Sequence, residues 1–295
     1  MTEPMRHPIE VVVEGLGHPE GPEALPDGRI VFANTYASEV GVWERGVGKS
    51  TYAHTGGGPN ACMLGSDGLV YITQCPTVGA WVAPEIRPPS IQRASPDGSV
   101  EIVATEADGL RLKAPNDLTF GPDGRLYFTD SGDWDPVTKP DRGYICFIDP
   151  DSSCHVLEEL EPVYPNGIVA EPDGSIVWVE SYTRRVVRRR PDGVMELVHQ
   201  LEENHIPDGF KIDGDGNFWI TTFSSGGVDV IAHDGSYVGF LETGGVPLNC
   251  TFSGTSLFVC DFGTTVTGDA TPMFGRLLTV DVGVTGMPLF RGAIS

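Results

Sequence analysis

Apolar and polar residues alternate in short bursts along this chain, and the bursts come in pairs. In APNDLTFGPDGRLYFTD (114–130) one run ends at an Asp-Gly pair, and a second run, richer in aromatic and β-branched residues, follows from Leu126 to Thr129. A period of two on both sides of Asp-Gly predicts a β-hairpin rather than a helix. The same phrase recurs as HPEGPEALPDGRIVFAN (18–34), GPNACMLGSDGLVYITQ (58–74), YPNGIVAEPDGSIVWVE (164–180), IPDGFKIDGDGNFWITT (206–222) and VPLNCTFSGTSLFVCD (246–261). The residue after the shared proline falls at 20, 60, 116, 166, 208 and 248, at intervals of 40, 56, 50, 42 and 40. Repeats of that length are the mark of propeller blades.

Each interval leaves room for two more strands, and GVWERGVGKSTYAHT (41–55) and GYICFIDPDSSCHVLEEL (143–160) have the pattern of outer hairpins. The prediction is an all-β, six-bladed β-propeller with four-stranded antiparallel blades and a central metal site. A length of 295 residues permits one large all-β domain or two ordinary ones, and the unbroken repeat favours one domain over 1–295. IEVVVEGL (9–16) precedes the first unit and GRLLTVDV (275–282) follows the sixth, so the two termini are expected to share the last blade and close the ring. With 40% apolar residues, 38 Gly and 24 Pro, the composition fits a folded, turn-rich chain with little helix.

Charge narrows the partners. The net charge of -22 repels phosphate backbones and anionic lipid, so no nucleic acid and no membrane partner is expected. The basic run TRRVVRRR (183–190) reads as one solvated strand face. No apolar stretch approaches the roughly 20 residues of a membrane span, and the first residues lack the order of a signal peptide, which reads as cytoplasmic. Six cysteines without metal-type spacing read as reduced, mostly buried thiols. Gly46–Ser50 echoes the end of a phosphate-binding loop, but Trp43 stands where that motif needs glycine; GxSxG and HExxH are absent.

In a propeller the innermost strand of each blade starts near the central channel. The six residues after the prolines, Glu20, Asn60, Asn116, Asn166, Asp208 and Leu248, should therefore ring one mouth of it. Turn chemistry explains Asn or Asp beside proline and glycine, but it does not select Glu at 20. Two carboxylates with amide oxygens make a hard-oxygen donor set suited to one divalent cation, calcium first. Zinc, manganese, magnesium and iron stay open; His18 and His205, close in sequence to Glu20 and Asp208, keep the zinc question alive.

The segments with Glu20-Gly21-Pro22, Asn116-Asp117, Pro165-Asn166-Gly167 and Pro207-Asp208-Gly209 resemble those of the SMP-30/gluconolactonase/luciferin-regenerating-enzyme family, across all six units. The resemblance implies a propeller with a central divalent metal held by Glu20, Asn166 and Asp208, with Asn116 a fourth ligand or a contact to water and substrate. Many members hydrolyse lactones, and relatives with a similar calcium cage hydrolyse organophosphates. Sugar-lactonase members often carry arginine two residues before the equivalent of Asn116, where this chain has Ala114. The loops 75–90 and 131–141 are expected to overhang the mouth. Trp81 and Trp134, with Asn60, Asn116, Tyr182 and Phe223, are the candidate contacts to a small-molecule substrate.

The expected activity is metal-dependent opening of a small cyclic ester, with Asp208 as water-positioning group, base or nucleophile. Phosphotriester hydrolysis and aldol-type carbon–carbon chemistry at the same site are the enzyme alternatives. A non-catalytic, metal-stabilised binding propeller is the third.

Overall fold

The computed structural model describes residues 5–79, 81–263 and 274–295; Ala80, within the 75–90 loop, lies outside them. Six four-stranded antiparallel sheets are present. Their innermost strands are Pro19–Ala24, Gly58–Leu64, Pro115–Phe120, Pro165–Ala170, Pro207–Ile212 and Pro247–Ser253, in blades 1 to 6. Each packs on the next, and the sixth on the first, so the sheets form a closed ring of blades. In the first five blades the chain runs outward from the channel strand by strand. In blade 6 the outermost strand is Ile9–Leu16, paired with Gly275–Asp281.

The hairpin turns follow from their residues. In blade 1, Leu25 N–H bonds Arg29 O and Gly28 N–H bonds Leu25 O, while Asp27 Oδ1 accepts from Arg29 N–H at 3.1 Å. Gly28 has φ +87°, a conformation that costs glycine little and other residues more. Apolar runs on the second and third strands pack between blades, and one buried cluster fills each of the six interfaces. Ile30, Phe32 and Trp43 of blade 1, for example, meet Phe258 and Cys260 of blade 6. Each such side chain contributes about 1.5–3 kcal/mol by leaving water.

Some expectations need correction. TRRVVRRR is not a solvated face: Arg188 is buried, with Nε 2.6 Å and Nη2 2.9 Å from the Glu171 carboxylate and Nη1 2.8 Å from Glu196. Alternation marked the strand, but the neutralising carboxylates lie in other turns and strands. The cysteines are free thiols, with Cys154 half-buried and the rest buried. Among the described residues the only helix is the 3-10 turn Thr35–Ala37, and no helix is long and apolar enough to cross a membrane.

The last residues do something no repeat foretold. From Thr285 to Ser295 the chain crosses the face of the ring remote from the six in-phase prolines. Met287 N–H bonds Ile212 O, Ser66 N–H bonds Gly292 O, Ile294 N–H bonds the Tyr71 hydroxyl and Ser295 N–H bonds Pro150 O. Ile294 is buried in the cluster between blades 2 and 3, against which Leu289 and Phe290 also pack. One segment thus ties blades 5, 2 and 3 together.

Candidate functional site

The ring residues sit at a break in the ladder. Every innermost strand carries a register irregularity just after its proline: between Glu20 and Glu23, Pro59 and Ala61, Pro115 and Leu118, Pro165 and Ile168, Pro207 and Phe210, and Pro247 and Asn249. Such a bulge re-aims side chains that a regular strand would send into the blade. Proline suits this place because the first residue of a strand can lack a ladder donor. Glycine follows for space. A Cβ on Gly21 would stand 2.1 Å from Ala61 Cα, and one on Gly209 would stand 2.0 Å from Asn249 Cγ.

Hydroxyls then staple blade to blade. Thr73 Oγ1 donates to Asn116 O at 2.6 Å, Thr129 Oγ1 to Asn166 O at 2.9 Å and Thr221 Oγ1 to Leu248 O at 2.7 Å. Ser181 Oγ donates to Pro207 O at 2.8 Å and accepts from Asn166 Nδ2 at 3.2 Å.

Glu20, Asn166 and Asp208 are buried, whereas Asn60 and Asn116 are half-buried. Burial first, and then the charges of Asp208 and Asp117, push the Glu20 carboxyl well above its usual range. Burial likewise raises Asp208, Asp117 adds to the shift, and the Asn166 amide opposes it. Among the described residues no lysine or arginine forms an ion pair with either carboxyl, and none is among the causes of their shifts. Asn166 Oδ1 is buried without a hydrogen-bond partner. Two buried carboxyls held against each other's charge, beside an orphaned amide oxygen, suit a hard divalent cation. Among the described residues no three His, Cys, Asp or Glu side chains converge as a metal group, so amide oxygens would have to complete the set.

The two histidines have other partners. His18 is half-buried between Tyr36 and Phe262, its Nδ1 is 3.3 Å from Thr35 Oγ1, and desolvation lowers its pKa to about 4. His205 Nδ1 is 2.7 Å from the buried Asp229 carboxylate.

Asn60 Nδ2 donates to Asn116 O and Oδ1 at 3.1 and 3.0 Å, and the pair floors a cleft of about 100 Å³ also lined by Trp134, Tyr164 and Ala114. Trp134 packs against Tyr164, Tyr182 and Phe223 at centroid distances of 4.8, 5.1 and 5.9 Å. The Tyr182 hydroxyl accepts from Asp135 N–H at 2.8 Å, so this ring also pins the 131–141 loop. Lys113 pins it from the other side through Asp141 and, at 3.7 Å, Asp133. Trp81 stacks on Tyr36 at 5.2 Å in a second aromatic group with His18 and Phe262. Of the candidate contacts, Asn60, Asn116 and Trp134 line the cleft directly; Tyr182 and Phe223 stand behind Trp134, and Trp81 stands in the second group.

Sequence reasoning passed over several residues here. Asp117 and Asn249 form a lower layer, joined by an Asn249 Nδ2 to Asp117 Oδ2 bond of 3.2 Å. Tyr164 is the other. It precedes a proline yet has φ +54°, as His18 has φ +56°, and a bulky residue held there costs of order 1–3 kcal/mol. Tyr164 lines the cleft with Asn116, and burial above all, with the charge of Asp208, holds its phenol well above the ordinary range. The signal was the aromatic residue directly before Pro165-Asn166-Gly167.

A closed six-bladed ring with a carboxylate-and-amide mouth defines a class of propeller, and comparison places this chain within it. The SMP-30/gluconolactonase/LRE-like family model matches residues 18–260, and the chain belongs to that family. It is 25% identical over 291 aligned residues to a gluconolactonase from Zymomonas mobilis, covering 85% of this chain and 78% of the other. Among solved structures it resembles regucalcin, a calcium-binding protein from Agrobacterium tumefaciens, with a TM-score of 0.78, 20% identity and coverage of 99% and 98%. A luciferin-regenerating enzyme gives the same TM-score at 17% identity, covering 98% of this chain and 100% of the other. Both structures share the fold.

Proposed function

We propose that this protein is a divalent-metal-dependent lactonase acting on a small cyclic ester with an apolar body. The observation that carries the reading is the buried pair Glu20 and Asp208, the charge of the one acting on the other, with the buried Asn166 Oδ1 left without a hydrogen-bond partner. Glu20, Asn166 and Asp208 would hold the cation, calcium first, with Asn116 at its side. When bound, such an ion supplies Lewis-acid polarisation of a carbonyl.

The chain's own residues do the rest. Asn116, fixed by Asn60, orients the ester and the attacking water. Asp208 holds that water and takes its proton as the oxygen bonds to the carbonyl carbon. The bond from that carbon to the ring oxygen then breaks, its electron pair goes to the ring oxygen, and the returning proton completes a hydroxy acid. Tyr164 donates a hydrogen bond to the ester and keeps its proton. Donors set in advance around developing charge are the largest common source of rate acceleration. Trp134 and the rings behind it offer an apolar wall where Ala114 leaves no guanidinium for sugar hydroxyls. The membership of the chain in a family with gluconolactonases supports this reading.

The test is a panel of lactones, phosphotriesters and β-hydroxy carbonyl compounds, assayed before and after chelation and with each metal restored. Lactone opening that disappears on chelation and returns with calcium is expected. Full activity in metal-free protein would sink the mechanism, and turnover confined to another substrate class would move the same residues to that chemistry.

A further inference from the structure

The far mouth of the channel has its own cleft, of about 230 Å³, between the inner-strand ends of blades 1, 5 and 6 and the Thr285–Arg291 stretch of the tail. Its chemistry is unlike that of the first mouth. Lys211, three residues beyond Asp208 on the same strand, is buried there, and its ammonium donates to Phe210 O at 3.2 Å. A lysine has three donors. Among the described residues no carboxylate lies within ion-pairing distance of it. Thr251, also buried, presents a hydroxyl without a hydrogen-bond partner. Arg291 enters from the tail; its contacts to Glu23 (2.5 Å), Leu64 O (3.0 Å) and Met63 Sδ (3.7 Å) all run through Nη1. Of the charged side chains that line the cleft or pair with its lining, Lys211 and Arg291 against Glu23 leave one positive charge in excess, in a chain of net charge -22. Ile212, Phe252, Met287, Pro288 and Leu289 form the remaining walls.

We propose that this cleft binds a small monocarboxylate with an apolar body. One negative charge neutralises the excess, and a carboxylate's several lone pairs accept from the Lys211 ammonium, the Thr251 hydroxyl and the Arg291 guanidinium together. A dianion would restore the imbalance with the opposite sign. Size argues in the same direction: an engineered apolar cavity of about 150 Å³ takes benzene, so this one has room for a benzoate-sized ligand. The ligand would bridge the tail, through Arg291, to blade 5, through Lys211, and the cleft needs nothing from the reaction at the other mouth.

Benzoate, butyrate and chloride are titrated into the full-length protein by calorimetry and thermal shift, at fixed ionic strength, with and without calcium. One saturable benzoate site that persists without calcium and raises the melting temperature is expected. Lys211→Met should weaken it by about tenfold or more, and Thr251→Val, nearly isosteric, by about threefold or more, while Asp208→Asn leaves it intact. If Lys211→Met does not fold, Thr251→Val and Lys211→Gln test the same contacts. No saturable site, an affinity unmoved by these substitutions, or loss of the site in Asp208→Asn overturns the proposal; chloride binding as tightly as benzoate also overturns it.

Discussion

The two mouths of the channel are formed by the same six strands, yet they meet the buried-charge problem in opposite ways. At the proline end each strand begins with a bulge, five of the six ring residues are acids or amides, and among the described residues Glu20 and Asp208 have no cationic partner. At the far end the strands are regular, Lys211 is buried, and an eleven-residue tail crosses the opening and brings Arg291 to the buried Glu23. Uncompensated charge at the first mouth suits an ion that comes and goes with solvent. At the second, the chain supplies one carboxylate, Glu23, for two cations. The difference teaches that propeller repeats fix where side chains stand, while each end's chemistry is set by single positions three residues apart on one strand, such as Asp208 and Lys211.

The largest expected effect breaks the covered end. Ending the chain after Val284 removes Leu289, Phe290 and Ile294 from their seats, and stability should fall by about 3–5 kcal/mol in urea unfolding, since losing even one large buried side chain costs that much. If the truncated protein unfolds at the parent's midpoint, the tail is only a surface ornament.

Next comes the open end. Glu20→Gln and Asp208→Asn should each lower calcium affinity by about 100-fold or more, more than the 10–100-fold typical of a group outside the direct ligands, and lower lactone opening with it. In chelated protein the same substitutions should raise the melting temperature, because a neutral amide relieves repulsion between buried charges. Equilibrium dialysis and scanning calorimetry read the two arms; unchanged calcium binding in both variants would remove these residues from the site.

The smallest effect sharpens the aromatic wall. Trp134→Ala should shift the ranking of apolar against hydroxylated lactones by roughly 1–3 kcal/mol in kcat/KM while calcium affinity stays within about twofold. Trp81→Ala, in the group beside Tyr36, should change the ranking less. Equal rankings in parent and both variants would place neither indole at the substrate.

What the sequence disclosed follows the range of the forces involved. Blade number, hairpins and the phase of Glu20, Asn116, Asn166 and Asp208 were legible because Asp-Gly turns and period-two burial act within about seventeen residues and repeat. The bulges left no separate mark, since they arise where six strands crowd one axis. Tyr164 and His18 were hidden for the same reason: sequence preference forbids their backbone geometry before proline, and only the tertiary setting imposes it. Arg188 misled because alternation reports which way a side chain points, not whether Glu171 waits there. The tail, aperiodic from Thr285 onward, matches its seats only in three dimensions.

Ser181 carries one more consequence. A single oxygen accepts from the Asn166 amide in blade 4 and donates to the carbonyl next to Asp208 in blade 5. That atom is a yoke: the gap between the Asn166 amide and the Pro207 carbonyl, on neighbouring blades, is spanned by two hydrogen bonds of 3.2 and 2.8 Å, with no long side chain to stretch or fold. In the proposed cation site, a cavity so gauged would tell cations apart by radius through its stiffness, as a wrench of one size does with bolts, and would favour a large ion with adaptable coordination over a small one that insists on a tighter octahedron.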